Sequence, residues 1–191
     1  MGKITFGMRL TTLLVVAFLF DLTEAGLGQS PEVVSRPENQ AVPEGGNAIL
    51  SVSVTGELPI TYQWRRWKGS VISDYWNPTL DSTNCTLVLT NVQASDACLF
   101  LLDINNAAGH SSGVLTTVAV FSSNMATNGF TLTINGDTNL NWRVDYTTNF
   151  HAPDWVTLTN LIIPEFPPEI TFTDLEATNL SRFYRVIPVP E

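Results

Sequence analysis

The sequence predicts an all-β protein, a two-layer β-sandwich followed by a small antiparallel β module. Three observations carry that prediction. Apolar residues recur with a period of two in several short runs, the clearest being Ala48, Leu50, Val52 and Val54. Trp64 closes one such run and Phe100, Leu102 and Ile104 form another, so a large aromatic and a row of apolar side chains can meet between two sheets. Turn residues punctuate the chain between the runs, as short antiparallel strands require.

The chain has 191 residues, whereas one sandwich uses about 100. Two β domains are therefore expected. Their boundaries are read as a leader at 1–25, a flexible arm at 26–36, the sandwich at 37–121, a linker at 122–129 and the small module at 130–191.

Lys3 and Arg9 precede the apolar run Leu10 to Phe20, and Thr23-Glu-Ala25 puts small residues where a signal peptidase would read them. This is the pattern of a cleaved secretory signal. The apolar run is shorter than the ~20 residues a bilayer-spanning helix needs, and Asp21 closes it. The mature chain is expected to be secreted or held at the cell surface, without membrane insertion. Cleavage removes two basic and two acidic residues, leaving the net charge at −9. Such a field disfavours nucleic acid and anionic lipid, both of which call for positive charge.

Gly26 to Pro37 lacks periodicity and reads as the arm, leading into an edge strand. Pro43-Glu-Gly-Gly46 turns the chain into the run that holds Val52. Gly56 to Pro59 turns it again, and Ile60, Tyr62 and Trp64 repeat the alternation. Lys68-Gly69-Ser70 forms a hairpin into Val71-Ile72, after which Ser73 to Asn84 reads as irregular. Leu87 and Leu89 make the next buried row and Asn91 to Ser95 the corner. The Phe100 run follows, Gly109 ends its turn, and Val114 to Phe121 is the last strand of the sandwich.

Ser122 to Gly129 is small, polar and unpatterned, as a linker would be. Beyond it Phe130 to Ile134 alternates, and Asn135-Gly136 is a strong two-residue hairpin signal. Strand-like runs continue at Trp142 to Thr147, Trp155 to Leu161, Glu169 to Phe172 and Phe183 to Val189.

Two cysteines, Cys85 and Cys98, would sit in an oxidising compartment. One opens a strand and the other begins the next, so their Cα atoms should exceed the ~7 Å a disulfide tolerates. Two unpaired thiols are expected.

Several residues invite a chemical reading. His151 and Asp154 stand three apart, but no third group orients them, and a solvated loop is the simpler account. His110, in a turn, has a weaker case. Asp137, Asn139 and Asn141 are spaced like the opening ligands of a calcium loop, yet no bidentate acid follows, and turn chemistry explains them. No metal, cofactor or catalytic set is expected. Asn84-Cys-Thr86 and Asn179-Leu-Ser181 fit the N-glycosylation pattern.

Flat aromatics beside charged donors can anchor a protein or stack on a sugar. Trp67, Tyr75 and Trp76, with Arg65 nearby, form such a set, although they could equally close a small satellite cluster. Leu99 and Leu101 point away from the core if Phe100 and Leu102 point into it. They would make that sheet face stickier than a solvated one, unless the second module covers it.

Pro37-Glu-Asn-Gln-Ala-Val-Pro-Glu-Gly45, Tyr62-Gln-Trp64, Leu87-Val-Leu89-Thr-Asn-Val92, Ser95-Asp-Ala97 and Asn106-Ala-Ala-Gly109 resemble, in order and spacing, an I-set immunoglobulin-like domain of the kind found in secreted bacterial proteins. The resemblance covers roughly residues 31 to 121. It implies an inter-sheet core signature at Val52, Trp64, Phe100 and Leu102. Val52 and Leu102 stand where that family carries its disulfide, Phe100 replaces the corner tyrosine, and Cys98 replaces a glycine. Val144-Asp-Tyr-Thr-Thr-Asn149, Asp154 to Leu158, Phe172-Thr-Asp174 and Arg182-Phe-Tyr-Arg185 resemble a C-terminal β module of multidomain secreted bacterial proteins, which implies no activity.

Together these readings favour a secreted, non-catalytic recognition or adhesion module that binds an extracellular protein or polysaccharide through Arg65, Trp67, Tyr75, Trp76, Leu99 and Leu101. The rival readings are an accessory part of a secreted hydrolase and a passive spacer.

Overall fold

In a computed structural model, which describes residues 28–127, 129–136, 140–164, 169–177 and 181–189, the chain is built from three β-sheets. The leader at 1–25 lies outside the described residues. The first sheet joins β1 (Glu32–Ser35), β3 (Ala48–Thr55) and β7 (Asn84–Leu89). The second has the path β13 (Glu169–Asp174), β10 (Gly129–Asn135), β9 (Gly109–Ala126), β8 (Cys98–Asn106), β4 (Ile60–Lys68) and β5 (Val71–Trp76). To it β2 (Gln40–Pro43) adds in parallel on β9, and β6 (Thr79–Leu80) pairs with β4. The third sheet is β12 (Val156–Ile162), β11 (Asn141–Thr147) and β14 (Phe183–Pro188).

The first two sheets form the sandwich. From one side β3 contributes Ala48, Leu50, Val52 and Val54, and β7 contributes Cys85, Leu87 and Leu89. From the other, β4 sends in Ile60, Tyr62 and Trp64, and β8 sends Phe100, Leu102 and Ile104. Trp64, Phe100 and Leu102 have no exposed surface and Val52 almost none. The alternation that packs these rows puts every second residue outside, which is why β3 reads buried, exposed, buried, exposed along its first five residues.

Two motif segments owe their sequence to turns. Asp96 accepts the backbone N–H of Gln93 on one carboxylate oxygen (2.9 Å) and the Arg66 guanidinium on the other (3.0 Å), tying the corner before β8 to β4. Asn106 donates to the carbonyls of Gln29 (2.7 Å) and Glu57 (2.9 Å) while accepting from the N–H groups of Ala108 and Gly109. One amide thus closes the β8–β9 turn and pins the start of the described chain to it.

The second core lies between the β9–β10–β13 end of the large sheet and the β12–β11–β14 sheet. Ala119, Leu132, Ile134, Trp142, Val144, Ile163 and Val186 fill it. β9 serves both cores, for Val118 and Val120 face the first and Ala119 the second.

Three expectations need correction. Residues 122–126, read as linker, are the last part of β9, and Thr131 and Thr133 of β10 pair with Asn124 and Ser122. Small polar residues satisfy a strand here because backbone pairing holds it, so composition alone misleads. Within the 26–36 segment read as a flexible arm, residues 32–35 are β1, paired with β3. Asn135-Gly136 does not turn a hairpin, because β10 pairs with β9 and β13 whereas β11 belongs to the other sheet. A side chain at Gly136 would meet Ile163 Cδ1 at 2.6 Å and Ala119 Cβ at 3.3 Å, so the glycine marks a close approach where the chain leaves one sheet for the next. The stretch after Ile72, read as irregular, continues as β5 to Trp76.

Candidate functional site

The outer face of β4, β8 and β9 is set by register. Trp67 stands opposite Leu99 and Leu99 opposite Thr117, while Arg65, Leu101 and Leu115 form the next row. Directly opposed residues in antiparallel strands share a face, so these rows all point away from the Trp64 core. On the β5 side Trp67 meets Ile72.

This face is apolar and uncovered. Trp67, Ile72 and Leu115 are 40 %, 46 % and 45 % exposed, Leu99 and Leu101 are half-buried, and all five lie outside both hydrophobic cores. The second module leaves them open to solvent. Polar groups rim the row. Arg65 pairs with Asp103, and the Gln63 amide donates to Asp74 (3.2 Å). Beside Leu101 lies a shallow depression of about 480 Å³, lined by Gln63, Arg65, Asp103, His110 and Gly113.

The predicted aromatic set is divided. Trp67 folds over its own hairpin, its indole N–H donating to the Gly69 carbonyl at 2.8 Å. A bulge between Trp64 and Arg65 shifts the pairing of β5 and places Trp76 opposite the buried Trp64. Tyr75 turns edge-on to Phe100 (5.7 Å, 81°) and lies under the Arg66 guanidinium at 4.2 Å. Tyr75 therefore closes the end of the sandwich core, away from the Trp67 face.

Cys85 and Cys98 are both buried. Burial pushes the Cys85 thiol up, against the pull of the Trp64 indole. His151 and Asp154 are exposed on the loop before β12, and the His151 ring meets Phe150 edge-on. Among the described residues no group of three or more His, Cys, Asp or Glu side chains could hold a metal ion. Of the calcium-like triad, Asp137 and Asn139 lie outside the described residues.

A second candidate escaped the sequence reading. Where the two sheets of the second core splay apart, a cleft of about 320 Å³ is lined by Phe121, Phe130, Phe150, Trp155, Phe183 and Tyr184, with Arg182 in its wall. Phe130 and Tyr184 stack at 3.8 Å, and Phe150 and Phe183 lie 5.2 Å apart at 43°. Two ionic knots brace it. Asp145 holds Arg143 (3.0 Å) and Arg185 (2.8 Å) and accepts from Thr157 (3.0 Å). Burial alone would raise the Asp145 carboxyl, but these donors hold it below the usual range. Asp174 holds Arg182 (2.6 Å) and the Tyr184 hydroxyl (2.9 Å), and burial with that bond raises the Tyr184 phenol. The aromatics were legible as strand residues, but only the pairing of sheets that share no hairpin brings them together.

Residues 30–106 match the family model described as "Immunoglobulin domain", which fits the order and register of β1 to β8. This part of the chain is an immunoglobulin-like domain. No curated protein matches the chain. Among solved structures, a titin M10 domain in complex with an obscurin-like 1 immunoglobulin domain is 28 % identical, with 49 % of this chain and 94 % of that one covered, at a TM-score of 0.41. Titin domain M7 is 20 % identical over 49 % of this chain and 95 % of its own, at 0.41. The Sidekick-1 immunoglobulin domains 1–5 are 22 % identical over 49 % of this chain, which spans 20 % of that longer one, at 0.39. Among the described residues no helix is long and apolar enough to cross a membrane.

Proposed function

We propose that this protein is a secreted, non-catalytic recognition module of the bacterial immunoglobulin-like kind, released from its 1–25 leader, that binds an extracellular protein through the outer face of β4, β8 and β9. One observation carries the reading. Trp67, Leu99, Leu101, Ile72 and Leu115 form a register-aligned apolar row that neither core absorbs, rimmed by the Arg65–Asp103 pair. An apolar centre with a polar rim is the anatomy of a protein interface. A sugar site would need more hydrogen-bonding groups among its rings, and this row is mostly aliphatic.

Binding of the labelled mature chain to intact cells of the source organism tests it. Saturable binding is expected, abolished by protease treatment of the cells and retained after glycan removal. Leu101→Asp with Leu115→Asp should abolish it without lowering the melting midpoint, because both side chains lie outside the cores. Unchanged binding by that variant refutes the site. Loss on glycan removal alone would favour polysaccharide, and no saturable binding would favour the spacer.

A further inference from the structure

We infer that the aromatic cleft of the second core is a seat for a basic side chain, an arginine guanidinium presented by a protein partner. The claim is independent of the β4–β8–β9 face, which lies on the sandwich. The cleft, at about 320 Å³, falls in the range of sites that enclose a ligand group, roughly 300 Å³ and upward. Its outer rings, Phe150 and Phe183, are 64 % and 41 % exposed and open toward solvent as a tilted pair.

Apolar walls alone would take any greasy group, so charge decides the occupant. Residues 122–191 carry eight acidic side chains against three arginines. All three arginines are engaged internally, Arg143 and Arg185 on Asp145 and Arg182 on Asp174 and Glu176. The Arg182 side chain is 7 % exposed, and its charge is matched by the Asp174 carboxylate against it. Glu176, 84 % exposed, and Asp154, which precedes Trp155, add negative field around the cleft region. An anion would enter against this field and a neutral group would gain nothing from it. A cation gains from both the field and the negative faces of the rings.

The fold already seats guanidinium groups on ring faces. Arg182 lies 4.3 Å from the Tyr146 centroid, Arg185 lies 4.3 Å from that of Trp155, and Arg66 lies 4.2 Å from that of Tyr75. The outer pair Phe150 and Phe183 has no cation over it among the described contacts, and an incoming arginine would complete the pattern.

The test is nuclear magnetic resonance titration of the mature chain with N-acetyl-arginine amide and with its citrulline counterpart, which has the same shape and no charge. A saturable shift of the Trp155 indole N–H is expected with the arginine compound, about tenfold weaker with citrulline and weakened by salt. Phe150→Ala with Phe183→Ala should lose the response, while the Leu101→Asp and Leu115→Asp variant should keep it. If the double alanine variant fails to fold, Phe150→Leu retains apolar area without a ring face and should lose arginine binding. Equal affinity for both compounds, or saturation by neither, overturns the assignment.

Discussion

Val118 and Ala119 are neighbours on β9, yet they belong to different hydrophobic cores. β9 is buried on both faces from Thr116 to Val120, so each core is walled by the strand that walls the other. β2 behaves likewise, with Val42 in the first core and Ala41 packed on the second. A shared two-faced strand couples the halves, and unfolding is expected as one cooperative transition. Each core has its own fully buried tryptophan, Trp64 and Trp142, as a reporter. In urea, variants retaining one or the other should give coincident midpoints. Two separated midpoints would mean independent halves.

Asp145 is 1 % exposed and is the one acid that holds both Arg143 and Arg185. Asp145→Ala should cost about 3 kcal/mol, since two guanidiniums and the Thr157 hydroxyl lose their acceptor; their partial exposure keeps the loss at the low end for buried pairs. Because its folded pKa is depressed, the stability it supplies is present above the ordinary carboxylate value of about 3.9 and is lost as pH falls through the folded value. Chemical denaturation of wild type and Asp145→Asn between pH 2 and 6 should show a steeper acid loss in wild type, by roughly the ordinary linkage of one carboxyl group.

The sandwich was legible because its rows are strict. Trp64, Phe100, Leu102 and Val52 sit in runs whose period of two survives to the folded chain, and Asp96 and Asn106 occupy turns with local chemistry. The second half was less legible for a physical reason. A hairpin signal such as Asn135-Gly136 is local, but the choice between pairing with β11 and crossing to another sheet is decided by Ile163 and Ala119, distant in sequence, pressing on Gly136. For the same reason the cleft could not be read, since Phe130 meets Tyr184 only after that crossing. On the outer face, strand parity was enough to place Leu99 and Leu101, whereas the bulge that separates Tyr75 from Trp67 leaves no mark in the alternation.

Tyr62 is buried in the first core with its hydroxyl donating to the Ser82 carbonyl at 2.8 Å, and burial pushes its pKa up from 10.0 to about 12, with Cys85 adding to the rise. A folded pKa above the unfolded one means the unfolded chain gives up its proton first. The stability is therefore complete below pH 10 and lost as pH rises through about 12, by roughly 2 to 3 kcal/mol for a two-unit shift. Denaturant midpoints from pH 8 to 12 check this. Tyr62→Phe should lose about 1 kcal/mol at neutral pH with the hydrogen bond and flatten the alkaline slope. An unchanged slope would place the titration elsewhere.

Gly129 opens β10 with φ at +130°, a region that side chains rarely enter, and a Cβ there would lie 2.4 Å from the Asp174 carbonyl oxygen. That carbonyl is backbone, held in β13 against β10 through the Phe130–Asp174 pair, so it cannot swing aside. Gly129→Ala must therefore strain its own backbone or push β13 away. The first costs about 1 to 3 kcal/mol, and the second also loosens the Asp174 carboxylate from Arg182 and Tyr184. The expected result is a loss of at least about 2 kcal/mol in urea unfolding. Amide exchange should quicken first in residues 169–174, before the sandwich. A variant as stable as wild type would mean that the turn into β10 tolerates a side chain and that the β13 edge is not fixed by this glycine.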